Sequence, residues 1–262
     1  MKIVIAGYGP VGVAVKAALE LRNGVEVFVD DPAKGHNYYR DEQIDPPDGV
    51  VVCVATPMRE DGQCETKHVQ EVFIKYGVTK YLIKSAVDPV WLRNWVSEHE
   101  YASYTYSPEF LASSNINRSP TDEFLNQTFA IYGGDDCRFW DELFKPSLPL
   151  LKEVKYCSLE QAAFSKYVEN CFLATKVVFF NEMYKIFNAC GFKGFDQMID
   201  AITIDPRIGR SHTQVPGPDG NYGYGGHCLP KDIAALRSLS NNTPLLDAVT
   251  DANEEYRNAD NN

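Results

Sequence analysis

The chain has 262 residues, 44% of them hydrophobic, and a formal net charge of −11. This is enough apolar material for one large core or two modest ones and argues against global disorder, while the acidic balance disfavours nucleic acid as a partner. No apolar run reaches membrane-spanning length, and the opening MKIVIAGYGP reaches glycine too soon for a signal peptide, so a cytoplasmic chain without a membrane partner is expected.

Residues 2–6, KIVIA, are an apolar run suited to a buried parallel strand. GYGPVG follows at Gly7 to Gly12, and VAVKAALEL then shows helical spacing. Between strand and helix each glycine has a task. Gly7 permits the tight turn, Gly9 lets the backbone approach a pyrophosphate, and Gly12 lets the helix pack on the strand. The phosphate then meets the helix N-terminus. A second strand, VEVFV, ends at Asp30. An acid there accepts hydrogen bonds from both ribose hydroxyls of NAD and repels the extra phosphate of NADP. Asp31 is adjacent and competes for that part; Asp30 is preferred.

Further strand-like runs lie at 49–55, 80–84 and 127–134, with helical patterns over 66–77 and 88–98. The alternation predicts a parallel, doubly wound sheet. Ligands meet the strand ends of such sheets, so ATP (55–57), KSA (84–86) and SPEF (107–110) are candidate site loops. The connection DEQIDPPDG, 41–49, leaves little room for a helix and another strand after Asp30, so the sheet is expected to lack one strand there.

Ser158 and Gln161 form a capping-box pattern, no proline follows through Cys190, and Gly191 is a natural stop. One helix of about nine turns is predicted over 158–190. It is apolar nearly all round between Cys171 and Phe180, which predicts burial on several sides and packing against a second subunit. Lys166 and Asn170 share a face, and spacing alone reads both as solvent-exposed. In GYGGHCLPKD, Gly223 to Asp232, Pro230 fits the first turn of a helix that continues through IAALRSL. Cys228 then sits at a helix N-terminus, where unpaired N–H groups favour thiolate over thiol. Asp232, four residues on, falls on the same face. Gly223, Gly225 and Gly226 keep side chains off the sulfur, and the loop has no packing purpose in this reading. Cys53, Cys64, Cys137, Cys157, Cys171 and Cys190 read as buried, reduced thiols. The histidines show no metal-ligand spacing, so no metal is expected.

A dinucleotide turn plus an activated cysteine points to oxidation of an aldehyde through a thioester. The chain resembles the UDP-glucose 6-dehydrogenase-like (UDP-glucose/GDP-mannose dehydrogenase) family in GYGPVG (7–12), ATP (55–57), SPEFL (107–111), KYVEN (166–170), FFNEM (179–183), DPRIG (205–209) and GYGGHCLPKD (223–232), in family order along almost the whole chain. The resemblance implies an α/β fold: an N-terminal Rossmann-like doubly wound parallel sheet over 1–157, then an α-helical central and dimerisation domain over 158–262. It implies oxidation of the C6 alcohol of a nucleotide sugar, UDP-glucose foremost, to the carboxylate with two NAD consumed. Cys228 would carry the thiohemiacetal and thioester. Lys166 and Asn170 would stabilise negative charge on the sugar oxygen, Asp232 would orient water or move protons, and Glu109 would assist hydrolysis. The implied cofactor contacts are Gly7, Tyr8, Gly9, Pro10, Val11, Gly12, Asp30, Lys34, Thr56, Pro57, Ser85 and Lys231. Those to the sugar nucleotide are Phe110, Leu111, Arg207, Tyr222, Tyr224, Gly225 and Gly226.

The chain departs from the family pattern in three places. Lys84-Ser85-Ala86 stands where the family has Lys-Ser-Thr, and Ala112-Ser113 where it has Arg-Glu or Ala-Glu. TPLLDAVTDANEEYRN, 243–258, resembles the start of the helix that leads into a C-terminal nucleotide-binding domain, which this reading places outside the chain. The alternatives are a non-catalytic or partly active NAD-binding homologue and a dehydrogenase for GDP-mannose or a UDP-N-acetylhexosamine.

Overall fold

The computed structural model describes residues 1–38, 46–77, 80–111 and 119–259; Ala112, Ser113 and residues 41–45 of the proline-rich connection lie outside them. Two compact units are present: Met1–Arg59 with Cys64–Lys166, and Glu60–Gln63 with the chain from Tyr167 onward.

The first unit holds β1 (Lys2–Ala6), α1 (Pro10–Glu20), β2 (Glu26–Asp30), β3 (Gly49–Val52), α2 (Lys67–Tyr76), β4 (Lys80–Ile83), α3 (Pro89–Glu98), β5 (Ser103–Tyr106), α4 (Pro120–Leu125), β6 (Phe129–Gly134), α5 (Cys137–Phe144) and β7 (Glu153–Cys157). The sheet order is β2-β1-β3-β4-β5-β6-β7. β2 is an edge strand, as the short connection after it requires. Register aligns the strand ends: Ala6 pairs with Asp30 and Val52, Val52 with Ile83, and Ile83 with Tyr106. The loops that start at Gly7, Asp31, Cys53, Lys84 and Ser107 therefore leave one edge of the sheet together.

β6 runs antiparallel to β5, and β7 follows β6 in parallel. This reversal was not legible in the alternation of strands and helices. Gly133 and Gly134 make it possible. A Cβ on Gly134 would lie 2.3 Å from the Tyr104 carbonyl oxygen, and one on Gly133 would lie 2.3 Å from that of Ser158. Side chains alternate across the sheet as the pleat demands. Val4, Val50, Val52, Tyr81 and Tyr104 face one buried layer with Phe73. Ile3, Ile5, Val51, Leu82 and Tyr132 face the other with Trp140 and Phe144. Burial on both faces explains why these strands read as continuous apolar runs.

α6 (Leu159–Ala189) begins with the expected capping box. Gln161 N donates to Ser158 Oγ at 3.2 Å, and Ser158 N to Gln161 Oε1 at 3.0 Å. The division between the units falls inside α6 after Lys166, beyond the border expected at residue 157. The second unit continues with α7 (Phe195–Ile202), α8 (Cys228–Ser238) and α9 (Pro244–Ala259). Its cores gather Cys171, Ala174, Val178, Tyr224, Ile233, Val249 and Tyr256, and separately Phe180, Phe195, Ile199 and Val215. Burial of α6 on several sides is only partly met, because Phe172 and Phe179 are 62% and 52% exposed. Among the described residues no helix is long and apolar enough to cross a membrane.

Candidate functional site

The glycine turn after β1 has the form the sequence predicts. Gly7 takes φ +92°, and a Cβ there would lie 2.6 Å from the Cys53 carbonyl oxygen. A Cβ on Gly12 would lie 2.1 Å from the Gly7 carbonyl oxygen. A Cβ on Gly9 would meet nothing within 4 Å, so the space over its backbone is open. Gly9 is the N-cap of α1 without a side-chain cap, and Pro10 has no N–H. The N–H groups of Val11 and Gly12 lack intrahelical partners and make an anion site. These features fit the pyrophosphate of a dinucleotide.

Around this turn the two acids differ. Asp30 is 5% exposed, and its carboxylate accepts from Lys75 Nζ at 2.6 Å, Tyr76 Oη at 2.6 Å and Tyr38 N at 3.3 Å. Asp31 is partly exposed and accepts from Tyr8 N at 2.8 Å. Lys34 Nζ donates to the Tyr8 carbonyl at 2.5 Å. Thr56 is buried and Pro57 exposed on the loop after β3. Ser85 is buried, with its hydroxyl donating to the Val54 carbonyl at 2.7 Å.

A buried ion pair occupies the same strand-end edge. Lys84 Nζ lies 3.3 Å from Glu109 Oε2 and 3.2 Å from Ser107 Oγ, with side-chain exposures of 4% and 7% for Lys84 and Glu109. The ammonium also lies over the rings of Phe124 and Phe144, at 5.3 and 5.9 Å. Phe110 N donates to the other Glu109 oxygen at 3.1 Å. The sequence placed Glu109 in the site and Lys84 in the candidate loop KSA, but gave Lys84 no role or partner. Beside the pair, burial pushes the Cys53 thiol up to about 12; Lys84 opposes the shift and Glu109 adds to it. Lys166 Nζ lies 5.1 Å from the centroid of the Phe110 ring, and Leu111 follows on the same loop.

In the second unit, Cys228 is the first residue of α8 and is exposed. No side chain caps that helix, so its first N–H groups are left for a ligand or water. One turn on, Asp232 is 1% exposed and accepts from Asn170 Nδ2, with Asn170 itself 4% exposed. Lys231 Nζ pairs with the second Asp232 oxygen. Asn170 is thus buried and partnered, against the exposure that spacing alone indicated. Cys171, next to it, donates weakly to the Asp232 carbonyl at 3.8 Å, and burial pushes its thiol up to about 12, with Asp232 adding to the rise. Thiols shifted this far are not nucleophiles at neutral pH. Cys64 is also buried, but Cys190 is exposed, against the expectation that six cysteines are interior.

The loop before Cys228 has a packing purpose that the sequence reading denied it. A Cβ on Gly223 would lie 2.5 Å from Asn253 Oδ1, and one on Gly225 would lie 2.3 Å from an Arg257 guanidinium nitrogen. Arg257 Nε donates to the Tyr224 carbonyl at 2.9 Å, Tyr224 N to Asn253 Oδ1 at 2.6 Å, and Gly223 N to Asn181 Oδ1 at 3.0 Å. Asn181 in FFNEM, and Asn253 and Arg257 in 243–258, lie in stretches that resemble the family, but nothing local in their helical patterns assigned them this packing role. Gly226, at φ +74°, has nothing within 4 Å of a built Cβ. Tyr224 is buried and Tyr222 partly so. Arg207 stands apart with its side chain 88% exposed, held by Asp205 through Nη2 at 2.6 Å.

Residues 160–255, the stretch that supplies Lys166, Asn170, Cys228 and Asp232, match the model of the UDP-glucose/GDP-mannose dehydrogenase family, central domain. The match identifies this stretch as that family's central domain. A relative from Rickettsia bellii named UDP-glucose 6-dehydrogenase is 30% identical over 235 residues, covering 83% of this chain and 51% of that one. The chain spans about half the length of the curated relatives it matches. A solved UDP-glucose dehydrogenase from Pyrobaculum islandicum superposes with a TM-score of 0.76 at 22% identity, over 97% of this chain and 68% of that one. A 3-hydroxyisobutyrate dehydrogenase from Mycobacterium tuberculosis gives 0.68 at 16% identity, over 99% and 94%. At such identities these two structures establish the fold alone.

Proposed function

We propose that the protein oxidises the C6 alcohol of a nucleotide sugar, UDP-glucose foremost, to the carboxylate with NAD as acceptor. The observation that carries this reading is Cys228, an exposed thiol at the uncapped start of α8, one turn before the buried Asn170–Asp232 pair, in the stretch that matches the family.

NAD supplies the two-electron acceptor when bound, twice per sugar. The open backbone at Gly9 and the free N–H groups of Val11 and Gly12 would hold its pyrophosphate. Cys228 Sγ adds to the C6 aldehyde carbon, and the resulting hemithioacetal oxygen carries the charge that Lys166 and Asn170 stabilise. The thiohemiacetal oxyanion loses two electrons and a proton, as a hydride, to become a thioester, just as the C6 alcohol before it loses two electrons and two protons to reach the aldehyde. Water adds to that carbonyl and the C–S bond breaks, releasing the carboxylate and returning the thiol. Asp232 and Glu109 move the protons. Arg207, Tyr222, Tyr224, Gly225 and Gly226 would hold the sugar nucleotide with Phe110 and Leu111, and Arg207 must exchange Asp205 for phosphate to do so.

NADH formation with UDP-glucose tests this reading. Cys228→Ser is expected to reduce turnover about a thousandfold or more, the scale of losing a catalytic nucleophile. Wild-type protein that forms no NADH with UDP-glucose, GDP-mannose or a UDP-N-acetylhexosamine would defeat it.

The partner proposed for α6 is a second copy of the chain. Phe164, Val168, Phe172, Phe179 and Ile186 are all at least 43% exposed and recur at spacings of four and seven, one apolar stripe. Sedimentation is expected to give a dimer for the wild type and a monomer for Phe172→Glu.

A further inference from the structure

We infer that Asp205 sets the affinity for the sugar nucleotide by competing with its phosphate for Arg207, so that removing this acid tightens substrate binding; this rests on the proposal that Arg207 holds the sugar nucleotide. The contact is more than one surface hydrogen bond. Arg207 Nε donates to both Asp205 oxygens, at 3.0 and 3.1 Å, and Nη2 donates to Oδ2 at 2.6 Å. A guanidinium grips phosphate through the same forked donors, so the two anions compete for the same nitrogens. Hydrogen bonds from the Arg207 side chain and backbone hold the Asp205 carboxyl below its ordinary 3.8, so the competing charge is present throughout the neutral range. The Arg207 side chain is 88% exposed and that of Asp205 34%. An exposed pair is weak in water, and exchanging it for a phosphate needs no unpacking.

The turn that carries Arg207 is held without this pair. Ile208 N and Gly209 N donate to the Asp205 carbonyl at 3.0 and 3.1 Å. From α6, Lys176 Nζ donates to the carbonyls of Ile208 and Gly209 at 2.7 and 3.0 Å. Gly209 takes φ +63°, a conformation glycine adopts without strain. All of these contacts are made to main chain and persist when the Asp205 side chain is changed. The backbone is therefore fixed while the guanidinium has two states, closed on Asp205 or open to phosphate. A ligand that needs the open state binds with its affinity reduced by the open fraction. Loss of Asp205 then strengthens binding, the reverse of what loss of a supporting residue does.

Two rival explanations are repulsion of phosphate by the Asp205 charge at a distance, and a purely structural role in the turn. A double-mutant cycle separates all three. Isothermal titration of the whole chain with UDP-glucose reads the dissociation constant for wild type, Asp205→Asn, Arg207→Gln and the double variant. Asn keeps an oxygen for Arg207 N, which donates to Asp205 Oδ1 at 3.0 Å, and sets a donor against Nη2. Asp205→Asn is expected to tighten UDP-glucose by about three- to fivefold. Arg207→Gln is expected to weaken it by about tenfold or more. The double variant is expected to match Arg207→Gln within about 1.5-fold. Unchanged or weaker binding by Asp205→Asn would overturn the inference. So would an equal tightening on the Arg207→Gln background, which is the signature of repulsion alone, or unaltered binding by Arg207→Gln. Wild type that binds no UDP-glucose would instead defeat the functional reading, and the inference with it.

Discussion

The turn at Gly7–Gly12 and the loop at Gly223–Gly226 both lead glycine-rich chain into an uncapped helix, yet they close for different reasons. At the first, the added Cβ atoms meet backbone: the Cys53 carbonyl at Gly7 and the Gly7 carbonyl at Gly12. At the second they meet side chains of α9, Asn253 at Gly223 and Arg257 at Gly225. Each segment keeps one glycine with empty space around it, Gly9 and Gly226. A glycine crowded by its own fold is there for packing, while one facing open space can admit a ligand's approach. The anchoring cations differ too. Lys84 at the strand-end edge is 4% exposed and paired with a carboxylate, whereas Arg257 is 25% exposed and donates mainly to carbonyls.

The largest effect expected from breaking this contrast is at Lys84. Lys84→Met leaves Glu109 as an uncompensated buried carboxylate and is expected to cost about 3–5 kcal/mol in denaturant unfolding. Gly12→Ala drives a methyl into backbone that cannot yield and is expected to cost about 3 kcal/mol. Gly9→Ala, at φ −77° and with open surroundings, should leave stability within about 0.5 kcal/mol while weakening NAD binding about tenfold. Equal stability losses at positions 9 and 12 would erase the distinction between crowded and open glycines.

Arg257→Ala is expected to cost about 1–2 kcal/mol, since it strips donors from the Tyr224 and Gly223 carbonyls. The smallest effect is at Asp219, which pairs with Arg257 at 2.7 Å. Burial raises this carboxyl, but hydrogen bonds from Arg257 and Asn221 outweigh the rise and hold it below its ordinary 3.8. Its contribution is therefore full above that value and is lost as pH falls through the lowered one. With 45% of the side chain exposed, solvent screening keeps it under about 0.5 kcal/mol. Asp219→Asn should flatten the acid limb of stability against pH by that amount, and a steeper limb would count against the pairing.

Much of the fold was legible where one local rule decides. KIVIA followed by GYGPVG could only be strand, turn and helix, and the capping box at Ser158 fixed the start of α6. The shortened connection after Asp30 predicted one strand fewer there, and β2 is the edge strand of the described sheet. The reversal at β6 was not legible, because it depends on Gly133 and Gly134 meeting Ser158 and Tyr104, residues distant in sequence. In the site, the helix-start position of Cys228 followed from Pro230, and the burial of Asn170 followed from nothing local. Lys84, named only as part of the candidate loop KSA, was given no partner for the same reason. A lysine at a strand end reads as solvated until Glu109 is seen 3.3 Å away. The glycines before Cys228 read as vacancy for substrate because Asn253 and Arg257, which crowd two of them, lie about thirty residues further on.

The central claim concerns the sulfur of Cys228 and can be read directly by mass. Glu109→Gln protein, mixed with NAD and UDP-glucose and quenched in acid, should carry a sugar-nucleotide acyl group on the peptide containing Cys228, since hydrolysis is slowed while addition is not. An unmodified Cys228 peptide, together with NADH still accumulating in Cys228→Ser, would contradict the account.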